Sequence, residues 1–371
     1  MEHIANAVHF PTLSFAPQDA KFARAFEILR DAIAQGSFPG ASIAVLHRGA
    51  LVALKAFGTF TSETGAPAVT ESSIFDLASV TKVIATTTAA MLLYERGMLD
   101  LEAPVSSILP EFAGADLRRK AVTVRMLLAH SSGLPAYEKL FLKYHTSKEL
   151  LEAALSVPLV AEPGIHAQYS DIGFIILSKL LERIADQPLD RFCQREIFGP
   201  LGMVRTTFNP PASWKPGIVP TADDRIFRKR IIQGEVQDEN ASVLGGVAGH
   251  AGLFSTAQDL AIFANVMLHQ GQPLILPATL SLFTRLETTP AGTSHALGWD
   301  TPSPPSQWGR YFSPHSFGHL GYTGASLWID AEKKIAIVLL TNRTWPDCSN
   351  QKIKQVRPAF HDAVMEAMSS W

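Results

Sequence analysis

Two hydrophobic rhythms alternate along the chain, and their order predicts the architecture. Residues 19–35 place Phe22, Ala25, Phe26, Leu29 and Ile33 on one helical face, and Gly36 with Pro39-Gly40 stops that helix. Two apolar runs follow, at 41–47 and 50–58, split by Arg48-Gly49; they read as a hairpin. From Ser79 to about Phe263, apolar residues recur at helical spacing between Pro and Gly breaks. Within that stretch, 208–246 is Pro-rich at first and then offers a hairpin at 225–236, a long surface excursion of the kind that often carries function. Thr256 and Asp259 have capping-box spacing ahead of an apolar helix. Strand character returns at 326–330 and 333–342, around a turn at Ala331-Glu332, and a last amphipathic helix is expected over 358–368, opening on Pro358.

A lone hairpin at each end cannot bury its apolar face. The two ends are therefore expected to meet in one antiparallel sheet flanked by the first and last helices, with the helical middle inserted. This is an α+β class. Its expected division is an N-terminal arm at 1–18, a discontinuous sheet domain at 19–76 plus 290–371, and a mostly helical domain at 77–289.

Composition narrows the function classes. Over 371 residues, 32 Lys and Arg face 34 Asp and Glu, so no basic excess exists to neutralise phosphates and no nucleic-acid partner is expected. The one basic knot, Arg228-Lys229-Arg230, reads as a solvated hairpin edge. No apolar run reaches the ~18 residues of a transmembrane segment. The first fifteen residues lack a basic start followed by an apolar stretch, so no signal peptide is visible. That reads as cytoplasmic for the sequence as it stands and periplasmic if a leader once preceded it. Cys193 and Cys348 exclude a disulfide scaffold and a four-cysteine zinc site, and whether they pair stays open.

Three short segments could carry chemistry. In the first, Ser79 and Lys82 lie three apart, one helical turn, where Asp76 or Ser79 could start a helix. A helix start concentrates free N–H groups and positive potential, which suits a nucleophile that must become an alkoxide. The same spacing also describes an N-cap serine followed by a solvated lysine. The second segment is Gln168-Tyr169-Ser170-Asp171, just before a long apolar helix; Tyr169 could present its hydroxyl to Ser79, or simply pack there while Asp171 complements the helix dipole. The third is Gly318-His319-Leu320-Gly321-Tyr322-Thr323-Gly324. Its glycines permit close backbone approach, and it equally describes a glycine-rich turn with a surface histidine. His250 could line a cleft beside Asp238, Glu239 and Asn240. His130 is expected to be a buried, hydrogen-bonded histidine at a helix end. His315 and His319 lack a third ligand, so no catalytic metal is expected.

The three segments, in this order, resemble the serine β-lactamase and penicillin-binding-protein superfamily in its class C-type branch, which includes esterases and D-amino-acid peptidases. Connecting segments at 95–112, 123–135, 195–203 and 252–268 also resemble the family, as do those at 327–343 and 357–364. The resemblance implies a β-lactamase/transpeptidase-like fold and an acyl-enzyme on Ser79. It also implies Lys82 as the activating lysine, Tyr169 as general base and acid, and the backbone N–H groups of Ser79 and Tyr322 as an oxyanion hole. Asp171, His319, Gly321 and His250 would then meet the substrate. That substrate would be a small ester, β-lactam or D-Ala-type amide, handled without a cofactor. Asp171 departs from the family's asparagine: an ionised Asp only accepts hydrogen bonds, which disfavours β-lactam recognition and makes esters the expected activity in vitro. An Asp beside Lys82 is also expected to keep the lysine charged and to shift the base role to Tyr169, whose ionised form the lysine would favour. A catalytically weak binding or scaffold protein that keeps the fold is the competing reading. An α/β-hydrolase is excluded, because no G-x-S-x-G elbow exists.

Overall fold

Strands that are apolar at nearly every position must be covered on both faces, and covering them organises the molecule. The computed structural model describes residues 17–303 and 307–369; positions 1–16 of the expected arm lie outside the described residues. β1 (Gly40–His47) and β2 (Ala50–Gly58) form the hairpin about Arg48-Gly49. β3 (Phe317–Leu320), β4 (Ser326–Asp330) and β5 (Ile335–Thr341) form an antiparallel meander, and β5 pairs with β1, Ala41 opposite Thr341 and His47 opposite Ile335. The sheet order is β2-β1-β5-β4-β3, so the two ends of the chain do meet in one antiparallel sheet.

Period-two alternation then sorts the side chains. Ile43, Val45, Ile337 and Leu339 face Phe26 and Leu29 of α1 (Ala23–Ala34) and Phe360 and Val364 of α5 (Ile353–Ser369). Ala44, Leu46, Val338 and Leu340 face the other way, against Leu260 and Phe263 of α4 (Ala257–Leu268) and the large core behind it. Each large side chain so buried stabilises the fold by about 1.5–3 kcal/mol. The core on that second side continues through α2 (Thr88–Glu95) and α3 (Asp171–Ala185).

Several local expectations need correction. The first helix breaks at Phe22, leaving a turn at Gln18–Lys21 before α1. The last helix starts at Ile353, and Pro358 sits inside it instead of opening it. Thr256 does cap α4 through the Asp259 N–H, but the box is not reciprocal: the Asp259 carboxylate accepts from the Arg205 N–H and the Thr206 hydroxyl. The hairpin pairs Ala222–Asp224 with Arg230–Ile232, earlier than expected, because the Asp224 carboxylate collects the N–H groups of Ile226, Phe227 and Arg228 and ties 225–229 into the loop. Arg228 is not a solvated edge: its guanidinium is buried against Asp224 and the carbonyls of Val236 and Gln237. Cys193 is buried, Cys348 is exposed, and both are free. Among the described residues no helix is long and apolar enough to cross a membrane.

Candidate active site

Ser79 is positioned by a short strand, a carboxylate and an unusual turn. Phe75–Asp76 pairs with Leu253–Ser255, which pairs in turn with Thr207–Phe208. The Asp76 carboxylate then accepts from the Ala78 N–H (2.8 Å) and, across the fold, from the Gln237 N–H (2.6 Å). Burial pushes its carboxyl up to about 6, against these two bonds. Ala78 has φ +45°, a left-handed conformation costly for a residue with a Cβ and concentrated at functional sites. A 3-10 turn, Ala78–Val80, and a π-helical stretch, Lys82–Thr87, lead into α2. The helix start is thus capped from Asp76, and a π turn of the kind frequent at functional sites puts Lys82 under Ser79.

Lys82 is fully buried. Its Nζ donates to Ser79 Oγ (3.0 Å), Asp171 Oδ1 (2.6 Å) and the His250 carbonyl (3.1 Å). The nitrogen also lies 4.8 Å from the centre of the Tyr169 ring and 5.5 Å from that of Phe174. Burial lowers its pKa below the ordinary lysine range, and Asp171, which favours the charge, only partly offsets this. The expected pull of Asp171 toward the charged lysine is present, but desolvation outweighs it.

The Tyr169 segment is anchored by His130, which follows the helix Val124–Leu128 in a left-handed conformation. The His130 carbonyl accepts from the Gln168 N–H, and Nδ1 accepts from the Ser170 N–H. Burial holds the ring well below the usual histidine range, so it is neutral and the expected buried histidine is what is found. Ser170 is the N-cap of α3, accepting from the Gly173 N–H and donating to the Pro135 carbonyl. That cap leaves Asp171 free to turn toward Lys82 instead of serving the helix. Burial first, and then Asp171, raises the Tyr169 pKa well above the normal phenol range, with the nearby Ser79 hydroxyl acting the other way. The sequence argument that Lys82 would favour tyrosinate is therefore not what the site does.

The third segment closes the other wall. The Thr323 hydroxyl donates to the Asp76 carbonyl (2.8 Å), and a Cβ on Gly321 would stand 2.4 Å from the Leu77 carbonyl oxygen, so this turn is pressed onto the backbone that leads to Ser79. His319 on β3 is buried, with Nδ1–H donating to the Leu320 carbonyl and its ring 5.9 Å from that of Tyr169. Burial lowers its pKa, opposed by Asp300. The Tyr322 side chain is exposed, with Arg343 over its ring. His250 departs from expectation. Its ring is buried against Asp238 (2.8 Å) rather than lining a cleft, and its carbonyl is what reaches Lys82. Asn240 is structural, bridging the Phe141 N–H and the Glu138 carbonyl.

Sequence reasoning missed His295 and Asp300. They pair at 3.1 Å, and the His295 ring meets those of His130 (4.9 Å) and Tyr169 (6.5 Å). They lie in a stretch without helical or strand periodicity, so no pattern signalled them. Beside His295, residues 165–167 and 291–295 line an open cavity of about 220 Å³, which does not reach Ser79, Lys82 or Tyr169. Among the described residues no group of three or more His, Cys, Asp or Glu is arranged to hold a metal.

Comparison with known proteins follows the same lines. Residues 25–357 match the family model described as "Beta-lactamase". A Bacillus subtilis (strain 168) protein named N-acetylmuramyl-L-alanine amidase is 34% identical over 362 residues, covering 87% of this chain and 81% of its own. EstCE1, described as a hydrolase with promiscuous acyltransferase activity, has a related structure with a TM-score of 0.77 at 23% identity, over 94% of this chain and 100% of that one. An octameric penicillin-binding protein homologue from Pyrococcus abyssi gives a TM-score of 0.70 at 22% identity, over 91% and 78%. The two structural likenesses are likenesses of fold.

Proposed function

The chain belongs to the β-lactamase family of serine hydrolases, and from that premise we propose that it cleaves esters or amides through an acyl-enzyme on Ser79, with short neutral esters turned over most readily in vitro. The observation that carries the reading is the buried Lys82 nitrogen, held between Ser79 Oγ and Asp171 Oδ1. A charged Lys82 has three protons and three acceptors there. A neutral Lys82 has two N–H groups, which Asp171 and the His250 carbonyl would retain, and a lone pair that would face the Ser79 hydroxyl.

In the proposed sequence, Ser79 Oγ attacks the carbonyl carbon as its proton passes to neutral Lys82, and Asp171 balances the new ammonium. The oxyanion is met by the N–H groups of Ser79 and Tyr322, each such donor typically worth ~2.7–4 kcal/mol. Tyr169, kept protonated by its raised pKa, gives its proton to the leaving group and is reprotonated from Lys82. Water then repeats the cycle on the acyl-enzyme.

Two features support short neutral esters. Asp171 accepts but cannot donate, and its charge repels anionic acyl groups. Asp238 and Asp300 add two carboxylates that also act on Lys82. The amidase name of the Bacillus subtilis relative keeps amides within range. A fluorophosphonate probe should label Ser79 alone, as located by peptide mass spectrometry. A panel of p-nitrophenyl esters, nitrocefin and D-Ala-D-Ala peptides should then rank esters first. Substantial ester turnover in a folded Ser79→Ala protein would end the reading.

A further inference from the structure

Two guanidinium groups sit behind the turn that carries Tyr322, and neither has a carboxylate partner among the described residues. Arg357, on α5, is buried; its Nη2 donates to the carbonyls of Gly321 (2.5 Å) and Ala325 (3.0 Å), its Nε to that of Gly324 (3.4 Å), and its Nη1 to Gln307 Oε1 (3.2 Å). Arg343 donates through Nε to the Tyr322 carbonyl (2.5 Å) and through Nη1 to the carbonyls of Cys348 and Asn350. Burying an unpaired guanidinium is costly, so a bare structural staple would be an expensive use of it. Burial brings the Arg357 pKa down to about 9, which still leaves it charged at neutral pH.

The atoms it touches explain the cost. The Gly321 carbonyl and the Tyr322 N–H are two ends of one peptide group, which is trans. In a trans peptide the two bonds point in opposite directions. A cation at the oxygen end fixes the direction of the N–H and polarises it, since hydrogen bonds in a chain strengthen one another. We propose that Arg357 is a positioning residue for acyl transfer, aiming and polarising the Tyr322 N–H toward the oxyanion that forms on the substrate carbonyl. The proposal rests on the acyl-enzyme reading above.

The test compares an oxoester with its thionoester. Sulfur accepts hydrogen bonds weakly, so a working oxyanion donor favours the oxoester selectively. In Arg357→Gln, kcat/KM for the oxoester should fall about 10–100-fold through kcat, somewhat less than the loss of a whole donor. The thionoester should lose no more than about 3-fold, so that the oxo-to-thiono ratio collapses. Arg357→Lys, which keeps the charge and gives up the fork, should fall between, and it decides the matter if the Gln variant does not fold. Thermal unfolding and near-UV circular dichroism identify folded variants. Equal losses on both esters, or an unchanged ratio, in a folded variant overturn the proposal. Failure of the acyl-enzyme reading shows separately, as oxoester turnover that survives in Ser79→Ala.

Discussion

The Lys82–Asp171 pair can be weighed by a double-mutant cycle on stability, with Lys82→Met, Asp171→Asn and the double variant. The nitrogen and oxygen stand 2.6 Å apart, with the lysine fully buried and the Asp171 side chain 18% exposed. With charge centres ~4 Å apart and an effective dielectric constant of about 20, their attraction is ~4 kcal/mol. Water at the exposed edge of Asp171 takes part of that, leaving a coupling of ~2–3 kcal/mol. Each single variant strands a charge in or near the core and should cost about 2–4 kcal/mol, at or below the usual range for breaking a buried pair. The double variant should be more stable than the sum of the two losses implies by the coupling. Urea unfolding at pH 7 with linear extrapolation reads this directly. Thermal melting offers a second reading: at about 2.1 cal/mol/K per residue, 371 residues convert 3 kcal/mol into a shift of about 4 °C. Losses that add to within ~0.5 kcal/mol would mean the pair carries no charge–charge attraction and that Lys82 rests neutral. The premise that Lys82 is charged before it loses a proton to act as base would then be wrong.

Other outcomes follow from the same geometry. Because Asp171 favours the charged lysine, Asp171→Asn should move the acidic limb of the kcat/KM–pH profile, where Lys82 must lose its proton, to lower pH; a limb that stays put excludes Lys82 as the base. In the same variant nitrocefin turnover should rise relative to ester turnover, and an unchanged ratio would show that the carboxylate does not set substrate range. Tyr169→Phe and Lys82→Met should each cut kcat steeply, with the double variant little worse than either, whereas multiplying losses would break the shared-proton model. Gly324→Ala should cost at least about 1–3 kcal/mol and reduce kcat, because Gly324 has φ +101° and its Cβ would collide with Thr341 Oγ1; a melting temperature within one degree of the parent would contradict this.

The sheet was readable because its constraint is repetitive: strands at 41–47 and 335–341 are apolar at nearly every position, and only pairing in one buried sheet satisfies both. Ser79, Lys82 and Tyr169 stood out because they recur in a recognisable order, and the structure brings all three into contact. What the sequence could not convey was the balance between burial and charge. An Asp next to a Lys looks like a fixed ion pair on paper, and only the complete exclusion of Lys82 from water shows that desolvation prevails. His295 and Asp300 escaped notice for a different reason: their position depends on a loop whose path is set by tertiary contacts, such as the Gly298 N–H on the Leu128 carbonyl, and not by any local period. The last helix begins at Ile353, five residues before Pro358, because packing of α5 on the sheet tolerates a proline that the sequence alone places at the helix start.

The pairing of β1 with β5 also sets a timetable for the growing polypeptide. Ala41 emerges from the ribosome three hundred residues before its partner Thr341. At the usual ~5–20 residues per second, β1 waits roughly 15–60 s for that partner. During this interval only β2 is available to it, and its side chains, all covered in the finished molecule, have no sheet to complete. The turn from Gly321 to Thr323, which packs on the Asp76–Leu77 backbone, arrives almost as late, so the segment leading to Ser79 stays unsupported until synthesis is nearly over. Until then the apolar face of β1 and its free edge are exposed, which makes the growing chain prone to aggregate for most of its synthesis.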